Sequence, residues 1–190
     1  MAVTILPREQ RIKAIHDAFI ALMWISKRQF AQRLQRFGLT LPQYIALATL
    51  ASHNQPCTMT DLINVTLQDA PTMTGILDRL VKMGLAERTR SEVDRRVVLV
   101  QASQNGAAMV QQIEAQTLSE AQCNYATMAD DELAYFEQLL RHILRMHLGP
   151  NPSFQDADLD AEINRLRLFR NDPIKYAQQE NDQLSMVNEQ

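Results

Sequence analysis

With 190 residues, 46% of them hydrophobic, the chain can bury a core of its own and forms one domain or one domain with an appendage. Five glycines, seven prolines and 6% aromatics favour long helices over a turn-rich sandwich or barrel. No segment has the roughly 18 consecutive apolar residues of a membrane span, and the N-terminus lacks the basic and apolar regions of a secretion signal. Two cysteines make neither a disulfide framework nor a zinc set. A cytoplasmic protein without membrane contact, metal or cofactor is expected.

A net charge of -3 argues, taken alone, against nucleic-acid binding. The charge is uneven, however. Residues 1–36 carry an excess of five positive charges, residues 58–102 balance, and residues 103–149 and 150–190 each carry an excess of four negative charges. The first half can therefore face an anionic partner, with the acidic residues turned elsewhere.

Apolar residues recur near heptad spacing from Ile12 through Ile15, Phe19, Leu22 and Phe30 to Phe37, which predicts one long amphipathic helix over residues 8–37. Thr40, Pro42 and Gln43 have the form of a capping box and open a second helix that runs to about His53. Thr58 and Asp61 repeat the device for a short third helix to about Val65, with Cys57 at its start. Asp69 and Pro71 then begin a fourth helix that Gly84 ends. Residues 85–90 and 96–101, joined by a polar loop, read as a small hairpin with a charged tip. Residues 103–128 and 130–147 carry two further helical stripes, the first through Val110 and Ile113, the second through Leu133, Phe136, Leu140 and Ile143. Beyond Pro150 a short helix with the face Leu159, Ile163, Leu166 and Phe169 is expected, and beyond Pro173 the pattern fades.

Three short helices followed by a hairpin with a charged tip make a winged helix-turn-helix, in which one helix enters the major groove and the wing reaches the flanking backbone or minor groove. The residue set sharpens this: Leu39-Thr40-x-x-Gln43, Thr72-x-Thr74 in the first turn of the fourth helix, Asp78-Arg79-Leu80 then Gly84-Leu85-Ala86-Glu87-Arg88, and Asp94-Arg95-Arg96 on the wing. In these residues the chain resembles the MarR family of transcriptional regulators, over about residues 8–148. The fold class expected is mostly α, with long N- and C-terminal dimerisation helices around the winged domain and a C-terminal helical tail. The segments are residues 1–37, 38–102, 103–149 and the acidic tail 150–190. The resemblance implies a homodimer that binds a pseudo-palindromic operator in double-stranded DNA, as a repressor released by a small lipophilic or phenolic ligand.

The residues themselves fit that reading. Thr72 and Thr74 can meet a phosphate or base edge near the helix start, and Arg79, two turns on, can reach phosphate. Arg95 carries a guanidinium group suited to a narrow minor groove, Arg96 beside it is a further candidate DNA contact, and Asp94 is expected to hold an arginine by a bidentate bond. Gly75 departs from the family, which often places a larger polar or basic side chain there. Glycine costs about 1 kcal/mol inside a helix, so either base readout is thin or the backbone approaches DNA closely.

By resemblance a ligand pocket lies between the dimer helices and the winged domain. Phe19, Met23, Trp24, Phe30 and Tyr44 are candidate walls, and Arg88 at the wing base is either a carboxylate partner for the effector or the partner of a neighbouring acid. The peroxide-sensing branch of the family places a cysteine in the first helix, and this sequence has none there. Enzyme motifs such as a glycine-rich phosphate loop, His-Glu-x-x-His or a nucleophile elbow are lacking, and no enzymatic activity is expected. The rival reading is a protein-protein adaptor that kept the winged fold without DNA binding.

Overall fold

The computed structural model describes residues 7–148, apart from positions 54, 67, 92 and 93. The tail expected at 150–190 therefore lies outside the described residues. The chain divides into two units, Met1–Leu41 and Pro42–Gln190.

The first unit holds α1 (Arg8–Arg36), a helix of 29 residues in which Leu34 alone is fully buried. Its apolar residues Ile12, Ile15, Phe19, Leu22, Met23, Trp24 and Ile25 are exposed. A Schellman motif ends it. Gly38 takes a positive φ of 72°, its N–H bonds the Gln35 carbonyl at 3.0 Å, and the Leu39 N–H bonds the Leu34 carbonyl at 3.0 Å.

The second unit opens with α2 (Leu41–Ser52), whose Tyr44, Leu47 and Leu50 are buried. A two-residue strand follows, β1 (Cys57–Thr58), and then α3 (Met59–Thr66). Thr58 and Asp61 cap α3 reciprocally: the Thr58 N–H donates to Asp61 Oδ2 at 2.9 Å and the Asp61 N–H to Thr58 Oγ1 at 3.2 Å. This corrects the placement of Cys57. It does not begin a helix but pairs with Val100 across the sheet, buried, its thiol donating to the Val100 carbonyl at 3.6 Å. The cap at Thr58 starts the helix one residue later, and the extended backbone favoured just ahead of it lets Cys57 join a sheet.

Next comes α4 (Ala70–Lys82), closed by a second Schellman motif in which Gly84 has φ 70°, the Gly84 N–H reaches the Val81 carbonyl and the Leu85 N–H the Leu80 carbonyl, both at 2.9 Å. The hairpin consists of β2 (Ala86–Arg90) and β3 (Val98–Ala102), antiparallel from Ala86 opposite Ala102 to Arg90 opposite Val98. The sheet order is β1-β3-β2, so the expected hairpin gains a third strand. Arg96 lies in the tip turn rather than in the strand, which begins at Val98.

Two long helices end the described chain, α5 (Gln104–Tyr125) and α6 (Asp130–Leu148). Ser103 caps α5 and fastens it to the sheet. Its hydroxyl accepts the Gly106 N–H at 3.0 Å and donates to the Gly84 carbonyl at 2.7 Å, while its own N–H bonds the Leu85 carbonyl at 3.0 Å. Gly106 fits only because it has no side chain: a Cβ there would run into the Leu85 carbonyl and lie 2.9 Å from Leu47 Cδ1. The start of α5 buries Val110 and Ile113. Farther on, Leu118 and Tyr125 are exposed, as are Leu133, Tyr135, Leu139, Leu140, Leu144 and Met146 of α6. Among the described residues no helix is long and apolar enough to cross a membrane.

Candidate nucleic-acid interface

The interface is built on α4. Asp69 is its N-cap: the carboxylate accepts the Thr72 N–H at 2.8 Å and the Thr72 hydroxyl at 2.9 Å. The Thr72 backbone bond, then the hydroxyl bond, holds the Asp69 carboxyl below its ordinary pKa. Met73, Ile76, Leu77 and Leu80 are buried at helical spacing. The opposite line is Pro71, Gly75, Asp78 and Lys82, with Thr74 on one flank and Thr72 and Arg79 on the other; all seven are exposed. Thr72 stands in the first turn as expected. Thr74 stands in the second, with its hydroxyl donating back to the Ala70 carbonyl at 2.9 Å.

The wing tip is a β-turn. The Val97 N–H bonds the Asp94 carbonyl at 2.9 Å, which puts Arg95 and Arg96 at the two central positions, both exposed. Asp94 differs from expectation. Among the described residues its carboxylate accepts the backbone N–H of Arg96 at 2.9 Å and holds no guanidinium. A short side chain two residues back from that N–H closes an Asx turn more readily than it reaches an arginine head group. Asp94 therefore shapes the turn that projects the arginines instead of clamping one of them.

The balanced charge of residues 58–102 hides an asymmetry. Each described acid there is engaged: Asp61 and Asp69 cap helices, Asp94 closes the wing turn, Glu87 accepts from the Gln101 amide at 3.0 Å, and Asp78 pairs with Arg88 at 2.6 Å. Arg79, Lys82, Arg90, Arg95 and Arg96 project from α4 and the hairpin into solvent. Lys82 and Arg90 were not singled out by the sequence motifs. The spacing of Lys82 from Pro71, Gly75 and Asp78 is the signal that places it on the outward line of α4.

The candidate ligand walls have separate settings. Phe19, Met23 and Trp24 are exposed on α1, Phe30 is half-buried there, and Tyr44 is 2% exposed on α2. Cation-π contacts place Lys27 over Trp24 at 5.4 Å and Arg33 over Phe30 at 5.7 Å. Arg88 has taken the neighbouring acid, Asp78.

These elements define a winged helix-turn-helix domain followed by long helices. The MarR family model matches residues 37–97. The organic hydroperoxide resistance transcriptional regulator of Bacillus subtilis is 34% identical over 82 residues, which cover 43% of this chain and 55% of that protein. Thus the chain spans only about half the length of that relative. Among solved structures, MarR of E. coli in its apo form is 27% identical with a TM-score of 0.54, covering 75% of this chain and 99% of that one. A mutant of S. aureus MepR bound to an oligodeoxyribonucleotide is 19% identical with a TM-score of 0.59, covering 70% of this chain and 96% of that one. Over its winged domain the chain is similar to the MarR family of transcriptional regulators.

Proposed function

We propose that the protein is a homodimeric, sequence-specific DNA-binding transcriptional regulator that seats α4 in the major groove and the wing tip in the adjacent minor groove of each operator half-site. The observation that carries this is the array of projecting cations, Arg79, Lys82, Arg90, Arg95 and Arg96, set among acids that are all engaged within the protein in the described part of the domain. Thr72 and Thr74 lie toward the groove, Arg79 and Lys82 reach phosphate, Arg95 and Arg96 enter the minor groove, and Asp94 keeps their turn in shape. A MepR mutant of the same fold is bound to an oligodeoxyribonucleotide, which supports DNA binding by a domain of this kind.

Dimerisation rests on the apolar side chains left exposed on α1, α5 and α6, among them Ile15, Trp24, Leu118 and Met146. A two-fold protein matches a pseudo-palindromic site. The segments divide the work: residues 1–37 and 103–149 pair two chains, and 38–102 bind DNA. In the cytoplasm such a dimer represses by occupying its operator, and a small aromatic effector releases it.

Selection of bound duplexes from a random pool, with light scattering on the same preparation, tests the proposal. An inverted repeat with half-sites about one helical turn apart, bound by a dimer and lost with Arg95→Ala, is the expected result. A monomer that recovers no motif at low salt overturns it in favour of the adaptor. A flat thermal-shift response across a panel of aromatic carboxylates removes the effector.

A further inference from the structure

We infer that the first two turns of α4 read thymine 5-methyl groups, so that thymine rather than guanine is the base-specific element at the centre of each half-site. This rests on the DNA-binding reading above and adds what the helix selects.

In the major groove guanine presents only acceptors, N7 and O6, and is read by uncommitted donors such as an arginine fork; thymine presents one acceptor and a methyl group that wants an apolar contact. Between Ala70 and Asp78 the exposed face of α4 has no uncommitted side-chain donor. The Thr72 hydroxyl and N–H both go to Asp69, and the Thr74 hydroxyl goes to the Ala70 carbonyl at 2.9 Å. Pro71 has no N–H, Gly75 has no side chain, and Asp78 offers only acceptors, one of them bound to Arg88. Apart from the Asp78 carboxylate, what this face can offer is apolar: the Pro71 ring and the methyl groups of Thr72 and Thr74, whose hydroxyl protons are turned back onto the helix.

Gly75 gives the second observation. It lies on the outward line, its φ is not positive, and a Cβ there would meet nothing within 4 Å. Neither backbone conformation nor packing within the protein requires glycine. The bare backbone at Gly75 lets the helix settle close enough for the neighbouring methyl of Thr74 to touch a base edge.

The test uses the full-length protein and the duplex recovered by selection. Deoxyuridine replaces each thymine of the half-site in turn, which removes only the methyl group, and 7-deazaguanine replaces each guanine, which removes N7. Deoxyuridine at one or two positions per half-site is expected to weaken binding about fourfold each, the worth of one buried methyl, and 7-deazaguanine to leave it unchanged. Thr74→Ser keeps the hydroxyl and loses the methyl; it is expected to weaken binding to the thymine duplex by a similar factor and to abolish the difference between thymine and uracil at one position. Equal affinity for the thymine and uracil duplexes, or a larger loss with 7-deazaguanine, overturns the inference. A Thr74→Ser protein that keeps the whole thymine-uracil difference overturns the assignment to Thr74. Recovery of no duplex at all fails the DNA-binding reading itself, a result distinct from a recovered site indifferent to its methyl groups.

Discussion

The Arg88 guanidinium meets the Asp78 carboxylate at 2.6 Å, which ties the first strand of the wing to the outward face of α4. Arg88 is partly covered and Asp78 is largely exposed, with side chains 32% and 57% accessible, so the pair adds little to stability. Its larger effect is electrostatic, because it neutralises a carboxylate on the surface proposed to face phosphate.

Arg88→Ala is therefore expected to lower unfolding free energy by less than about 1 kcal/mol and to weaken duplex binding several-fold. Adding Asp78→Asn recovers most of the binding, since no free carboxylate is left to repel the backbone. Urea denaturation and duplex titration on both variants check this. Binding by Arg88→Ala equal to that of the parent protein contradicts the role given to the pair.

Glycine at 75 weakens the helix that carries recognition. With open space around an added Cβ, Gly75→Ala is expected to raise stability by about 1 kcal/mol in urea unfolding. A loss of stability would show a constraint at this position that its surroundings do not reveal.

Gly106 behaves in the opposite sense. Because a Cβ there would run into the Leu85 carbonyl, Gly106→Ala forces α5 away from the sheet and is expected to cost about 1–3 kcal/mol. Ser103→Ala removes the α5 cap and the bond to the Gly84 carbonyl and costs about 1–2 kcal/mol. Thermal melts of the two variants, both well below the parent protein, are the expected outcome; unchanged melting for either contradicts this packing.

Much of this was legible because local chemistry sets the helix ends. Thr58 with Asp61, Asp69 with Pro71, and the glycine at 84 place α3 and α4 to within a residue or two. What escaped depends on partners distant in sequence. β1 exists only because Val100 and Leu99 come to lie beside Cys57 and Thr58, and two residues have no periodicity to detect. The same holds for the interface. Its arginines were visible as a motif, whereas the reach of Arg88 to Asp78 and the closure of the wing turn by Asp94 depend on geometry that charge type does not specify.

The Asp69 cap makes stability depend on pH. Its carboxyl pKa is lowered in the folded protein, so the unfolded chain binds the proton more readily. The stability it contributes is complete above the ordinary carboxylate range and is lost as pH falls through that range to the lowered value. Asp69→Asn caps the helix without titrating. The parent protein is expected to lose more stability than Asp69→Asn between pH 5 and pH 3, read from melting temperatures. Parallel losses contradict the cap as a titrating element.

If Arg79 and Lys82 of α4 neutralise backbone phosphates, binding must release counterions. Affinity for the selected duplex is to be followed against salt concentration for the parent protein and for Arg79→Ala. A steep linear fall of log affinity with log salt is expected, with a slope smaller by about one phosphate contact per subunit in the variant. Affinity that is flat with salt, or a slope that Arg79→Ala leaves unchanged, overturns this reading of the interface.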